Sequence, residues 1–102
     1  MSESPLSITV DEQPSLTVVR VVGDVPASQA GAIEDTVLPY LAGPGVDLEV
    51  DLSGLTFLSS TGLSVLVQLM RRAKQSKRVL RYRRPSPHIE RMLRTANLPV
   101  DA

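Results

Sequence analysis

The side chains best placed to do chemistry in this chain are three consecutive hydroxyls, Ser59, Ser60 and Thr61, followed by Gly62. They come after Asp51-Leu52-Ser53-Gly54-Leu55-Thr56-Phe57-Leu58, which reads as the end of a strand and a short loop, and they open a helix. The first N–H groups of a helix have no internal partner and carry a partial positive charge, so Ser59 or Ser60 can cap them. A phosphate attached there would be held by the same donors and dipole. The chemistry offered is therefore capping, with a phosphorylation switch as the functional alternative. An enzyme's machinery is not assembled around it. His88 is the single histidine, lies at the start of another helix and reads as a surface residue. Neither a Gly-x-Ser-x-Gly elbow nor a phosphate-cradling glycine loop nor a metal-ligand cluster occurs, so no catalysis, cofactor or metal is expected.

The elements that must position these residues follow from periodicity. Leu6, Ile8 and Val10 alternate with polar residues as a half-buried strand does, and Asp11 to Ser15 supplies turn chemistry. Leu16 to Val22 is a β-branched run too apolar to be one-sided, hence a central strand, with Gly23 ending it. Ala30, Ile33, Val37 and Leu41 recur at helical spacing, and Pro39 should end that helix near Leu38 or kink it. Asp47 to Leu52 alternates as a third strand. A second helix is predicted over Ser60 to Gln75, with Leu63, Leu66, Val67, Met70 and Ala73 as its core stripe. Val65 and Leu69 widen that stripe toward either a partner or the neighbouring helix. Arg78 to Arg83 reads as an edge strand guarded by arginines and stopped by Pro85. Ser86 then caps, and Pro87 begins, a short helix through Ile89, Met92, Leu93 and Ala96 that ends near Asn97. The order is β-β-α-β-α-β-α, an α/β fold with helices packed on a small mixed sheet.

Composition bounds the rest. A chain of 102 residues fits a single domain, 1–102, with residues 1–5 as a loose leader. It has no cysteine, which excludes disulfides and thiol chemistry. No apolar run approaches the roughly 18 residues of a membrane span, and the N-terminus lacks signal-peptide character, so a cytoplasmic location is expected. The net charge of zero hides a division: residues 1–51 hold nine acids against Arg20 alone, and residues 52–102 hold ten bases against Glu90 and Asp101. The basic half either offsets the acidic half within the fold or steers an acidic partner. Polyanion or nucleic-acid binding by the stretch from Arg71 to Arg94 is a further alternative, although Tyr82 is the one aromatic there to stack on a base.

Asp51-Leu52-Ser53-x-Leu55-x-Phe57-Leu58-Ser59-Ser60-Thr61-Gly62-Leu63 resembles the signature segment of STAS domains, as found in bacterial antagonists of anti-sigma factors. Gly23-Asp24-Val25 is similar to the family's Gly-Glu-Leu turn, Ser86-Pro87-x-Ile89-x-x-Met92-Leu93 resembles its third helix, and the element order matches. The resemblance implies a STAS-like fold and a regulator of transcription that binds an anti-sigma factor of the serine-kinase type, releasing a sigma factor. Ser60 matches the phosphorylated serine, with Ser59 and Thr61 as lesser candidates. The implied docking surface comprises Asp24, Ser59, Ser60, Thr61 and Gly62, extended by Val65 and Leu69. A protein phosphatase is an implied second partner, and the oligomeric state is a monomer or weak dimer. Phosphorylated members usually carry Asp immediately before the serine and after Gly-Glu-Leu, where this chain has Ser59 and Pro26. Other STAS proteins are small subunits of lipid or anion transport assemblies that dock on an ATPase, and that alternative stays open. The chain stops sooner after its third helix than family members usually do, which leaves a sheet edge open or for a partner to complete.

Overall fold

The computed structural model describes residues 4–101, and among them one five-stranded sheet carries three α-helices. β1 (Ser7–Glu12) and β2 (Leu16–Val25) form the expected antiparallel hairpin, with Ser7 opposite Val22 and Glu12 opposite Thr17. A single 3₁₀ turn leads into α1 (Ala30–Leu41), followed by β3 (Asp47–Asp51), β4 (Leu55–Leu58), α2 (Ser60–Gln75), β5 (Leu80–Arg83) and α3 (Pro87–Thr95). β2 is central: its first half pairs in parallel with β3, its last three residues pair in parallel with β4, and β5 lies beyond β3 as an edge.

The strands alternate as pleated strands must. Val19, Val21 and Val25 of β2, Leu48 and Val50 of β3, and Leu80 and Tyr82 of β5 point into one buried cluster. All three helices close over it, with Ile33 and Val37 from α1, Leu66 and Leu69 from α2, and Ile89 and Leu93 from α3. The buried Tyr82 hydroxyl donates to the Leu66 carbonyl at 2.7 Å and so ties β5 to α2. Burial pushes its phenol far above the ordinary value of 10.0, so it remains a neutral donor.

The intervening positions carry the charges, and the register interleaves the two halves of the chain. Acidic β3 lies beside Arg20 of β2 and the arginines of β5, giving Arg20–Asp51 at 3.6 Å and Arg83–Glu49 at 2.9 Å. This offsets part of the charge division within the fold. Arg71, Arg72, Lys74 and Lys77 are instead exposed and enter no ion pair among the described residues.

Five local expectations are corrected, the first being that β2 runs on through Gly23 to Val25 instead of ending at the glycine, because β4 pairs with those last residues. Residues 55–58, read as part of a loop, form β4, because β2 is long enough to hold a second parallel neighbour beyond a register shift at Gly23/Asp24. α1 continues through Pro39 to Leu41 instead of ending near Leu38; the proline forgoes the bond its N–H would make to the Asp35 carbonyl, and only two helical residues follow it. β5 begins at Leu80, because Lys77 adopts a left-handed φ of 56° and the Arg78 side chain turns back to the end of α1. The edge of β5 is covered at its C-terminal end by the chain's own residues: the Asp101 N–H donates to the Tyr82 carbonyl at 3.0 Å and the Arg84 N–H to the Asp101 carbonyl at 2.9 Å. Residues 1–3 of the expected leader lie outside the described residues. Ser4 is tied down, its carbonyl accepting from the Asp24 N–H at 2.8 Å.

That tie depends on Gly23, whose φ of +93° is left-handed and whose missing Cβ leaves room for the Pro5 carbonyl. Gly23→Ala is expected to lower stability by about 2 kcal/mol through backbone strain and displacement of residues 4–6. A urea titration reporting a loss below about 0.5 kcal/mol would show that the segment yields freely.

Candidate functional site

The signature segment is built around turns and caps. Asp51 is only 7% exposed, and its carboxylate accepts the Ser53 N–H at 2.9 Å, turning the chain from β3 toward β4. Burial alone would raise its pKa. The Ser53 N–H and hydroxyl, with Arg84 and Arg20 nearby, outweigh that and hold the carboxyl below its ordinary value of 3.8. Asp51 is therefore a turn-forming group, charged across the physiological range.

Ser59 is the N-cap of α2. Its backbone is extended (φ −71°, ψ 165°), its N–H donates to the Val25 carbonyl at 3.0 Å, and its Oγ accepts the Gly62 N–H at 3.0 Å. Ser60 is thereby the first helical residue, and its exposed hydroxyl has no hydrogen-bond partner among the described residues. Thr61 is also exposed. The choice of cap between Ser59 and Ser60 is thus resolved, and it leaves Ser60 available where backbone donors and the helix dipole favour an added anion.

Asp24 lies beside this helix start with its carboxylate engaged inside the chain. Its Oδ1 accepts from the Thr56 hydroxyl at 2.6 Å and its Oδ2 from the Ser4 N–H at 3.3 Å. Its role in the structure is to clamp residues 4–6 and β4 together. Ser4, Pro5, Leu6, Asp24, Pro26, Gln29 and Phe57 line a shallow hollow of about 200 Å³. Phe57, the chain's single phenylalanine, is 48% exposed there. Sequence reasoning did not single it out, although a lone aromatic two positions before the hydroxyl run is a usable signal.

Three expected docking residues are turned inward. Val65 and Leu69 are 8% and 1% exposed and belong to the core, because α2 lies against α1 on that side. The stripe read from sequence is displaced around the helix: Leu63 and Val67, assigned to the core, are only partly buried and line a surface groove instead. Gly62 is buried, and a Cβ there would come within 2.6 Å of Leu58 Cδ1 and 3.2 Å of Val25 Cγ1. Its smallness seats α2 on β2 and β4 rather than admitting a partner's backbone. His88 is exposed, and among the described residues no acidic, histidine or cysteine cluster could hold a metal ion.

The family model described as "Mlab, STAS domain" matches residues 8–99, and the chain belongs to the STAS domain family. The anti-sigma-F factor antagonist RsfB of Mycobacterium tuberculosis is 28% identical over 71 residues, which is 70% of this chain and 58% of that protein. The aligned segment thus spans less than two thirds of that relative's length. Among solved structures, an anti-sigma factor antagonist from Mycobacterium paratuberculosis superposes with a TM-score of 0.82 at 22% identity, covering 95% of this chain and 86% of that one. The phosphorylated form of the Bacillus cell fate determinant SpoIIAA superposes with a TM-score of 0.77 at 17% identity, covering 94% and 91%. These likenesses establish the fold. Among the described residues no helix is long and apolar enough to cross a membrane.

Proposed function

We propose that this chain is an anti-sigma factor antagonist of the cytoplasm, binding an anti-sigma factor of the serine-kinase type and so releasing a sigma factor. It acts by association and not by catalysis. Phosphorylation of Ser60 by that partner switches it off, and a protein phosphatase resets it. The observation that carries this reading is the division of labour at the start of α2, where Ser59 caps the helix and Ser60 stands exposed one residue later. The absence of the family's Asp before the phosphorylated serine counts less once Ser59 is seen to cap, because Ser and Asp cap helices about equally well. A doubly charged phosphate on Ser60 is compatible with the fold at a helix N-terminus, yet opposes a close interface by charge and desolvation. The name of the RsfB relative supports the partner class.

Intact mass and phosphosite mapping of the protein recovered from its native cells test the switch. A single phosphate that disappears in Ser60→Ala is the expected result. Recovery of unmodified protein under every growth condition would overturn the switch, and co-purification of a transporter-type ATPase in place of an anti-sigma factor would move the assignment to the transport-subunit reading.

A further inference from the structure

The groove between α2 and the C-terminal end of α3 is lined by Leu63, Ser64, Val67, Gln68, Arg71 and Ala96 and encloses about 360 Å³. Its floor is apolar, since Leu63, Val67 and Ala96 are partly buried hydrophobics resting on the core. Its charge is of one sign: of the lining residues Arg71 alone is charged, it is exposed, and α2 contains no acidic residue. Ser60, Ser64, Val67 and Arg71 recur at spacings of four, three and four, so they form one stripe down the helix. The groove thus lies on a stripe that begins at the exposed hydroxyl of Ser60 and runs about 16 Å, some three helical turns, to Arg71.

We infer that this groove receives an acidic amphipathic helix of the anti-sigma factor. Apolar residues of that helix at i, i+3 or i+4, and i+7 seat on Leu63, Val67 and Ala96, and a carboxylate faces Arg71. The inference rests on the proposed function and assigns the partner's element. Charge complementarity selects the occupant, because a basic helix would be repelled by Arg71 and a neutral one would leave it unanswered. It also explains how one phosphate acts over a whole interface: on Ser60 it places negative charge at the head of the stripe that an acidic helix must follow.

Calorimetric titration tests this, using the purified serine-kinase-type anti-sigma factors of the source organism at low and high salt, with circular dichroism confirming the fold of each variant. Arg71→Glu is expected to weaken binding about tenfold or more and to flatten its salt dependence. Val67→Asp is expected to weaken it about thirtyfold or more by placing a charge on the apolar floor. Arg71 is exposed, so Arg71→Glu stays informative even if Val67→Asp does not fold. Normal binding by Arg71→Glu, with Ser60→Glu impaired, would overturn the groove assignment and leave the anti-sigma reading standing. Failure of the wild-type chain to bind any of these proteins would overturn the underlying reading, and the groove assignment with it.

Discussion

Replacing Arg78 by methionine is expected to lower stability by about 4 kcal/mol, a large share of the total for a domain of this size. The Arg78 guanidinium gathers the end of α1 and the following turn: its Nη1 donates to the carbonyls of Tyr40 and Gly43, each at 2.7 Å, and its Nη2 to the Val46 carbonyl at 2.6 Å. Helix ends leave carbonyls without intrahelical partners, and a cation there also meets the negative end of the dipole. Hydrogen bonds to a charged group contribute about 1.5–3 kcal/mol each. The partial exposure of this site and re-solvation of the freed carbonyls bring the sum down to the figure above. Methionine keeps most of the stem packing, so the loss reads the hydrogen bonds. Urea unfolding measures it, and hydrogen exchange should show residues 40–46 losing protection first. A loss under about 1 kcal/mol would mean that water replaces the guanidinium at little cost.

Ser60→Glu should separate binding from folding. Affinity for the proposed anti-sigma partner is expected to fall about 100-fold or more, since an unpaired charge must be desolvated in the interface. Ser60→Ala should bind within about threefold of wild type, because the hydroxyl makes no intramolecular hydrogen bond among the described residues. Stability should move in the opposite sense: a carboxylate in the first helical turn gains about 0.3–1 kcal/mol from the dipole. A Glu variant that loses binding while its thermal midpoint rises slightly marks a surface switch. Loss of both would mean that Ser60 matters to the fold.

Much of the fold was legible because its elements carry strong periodic signals. The alternation in Leu6 to Val10 and the Ser86-Pro87 helix start lie within one or two residues of where the structure places them, and the β-branched run from Leu16 to Val22 marks the start of β2 but not its end at Val25. β4 was hidden because Thr56 and Phe57 are consecutive exposed residues, so the four-residue strand shows no alternation. It exists only because β2 offers an unpaired segment, a tertiary cause that local pattern does not record. At the site, the helix start and the prominence of Ser60 could be read from residue types. Which side of α2 is covered could not: its apolar residues wrap more than half the helix, and the position of α1 decides that Val65 and Leu69 are buried while Leu63 and Val67 reach the surface. Likewise Asp24, carried over as a contact residue, answers to Thr56 and Ser4, groups distant from it in sequence.

The way β2 shares itself between β3 and β4 also orders how the chain acquires its structure. Among the described residues the β1–β2 hairpin is the one strand pairing that neighbouring residues can close by themselves. β2 meets β3 only after α1 has been made, and β3 meets β5 only after α2. Each such crossover adds loop-closure entropy before any contact repays it, which places folding in the slower range for a domain of this size. During synthesis the hairpin emerges before the strands and helices that follow it and waits with its valine face uncovered. The helix that bears Ser60 gains its seat on β2 and β4 later, so the kinase proposed for Ser60 would meet the assembled surface only on chains whose parallel sheet has already closed around the start of α2.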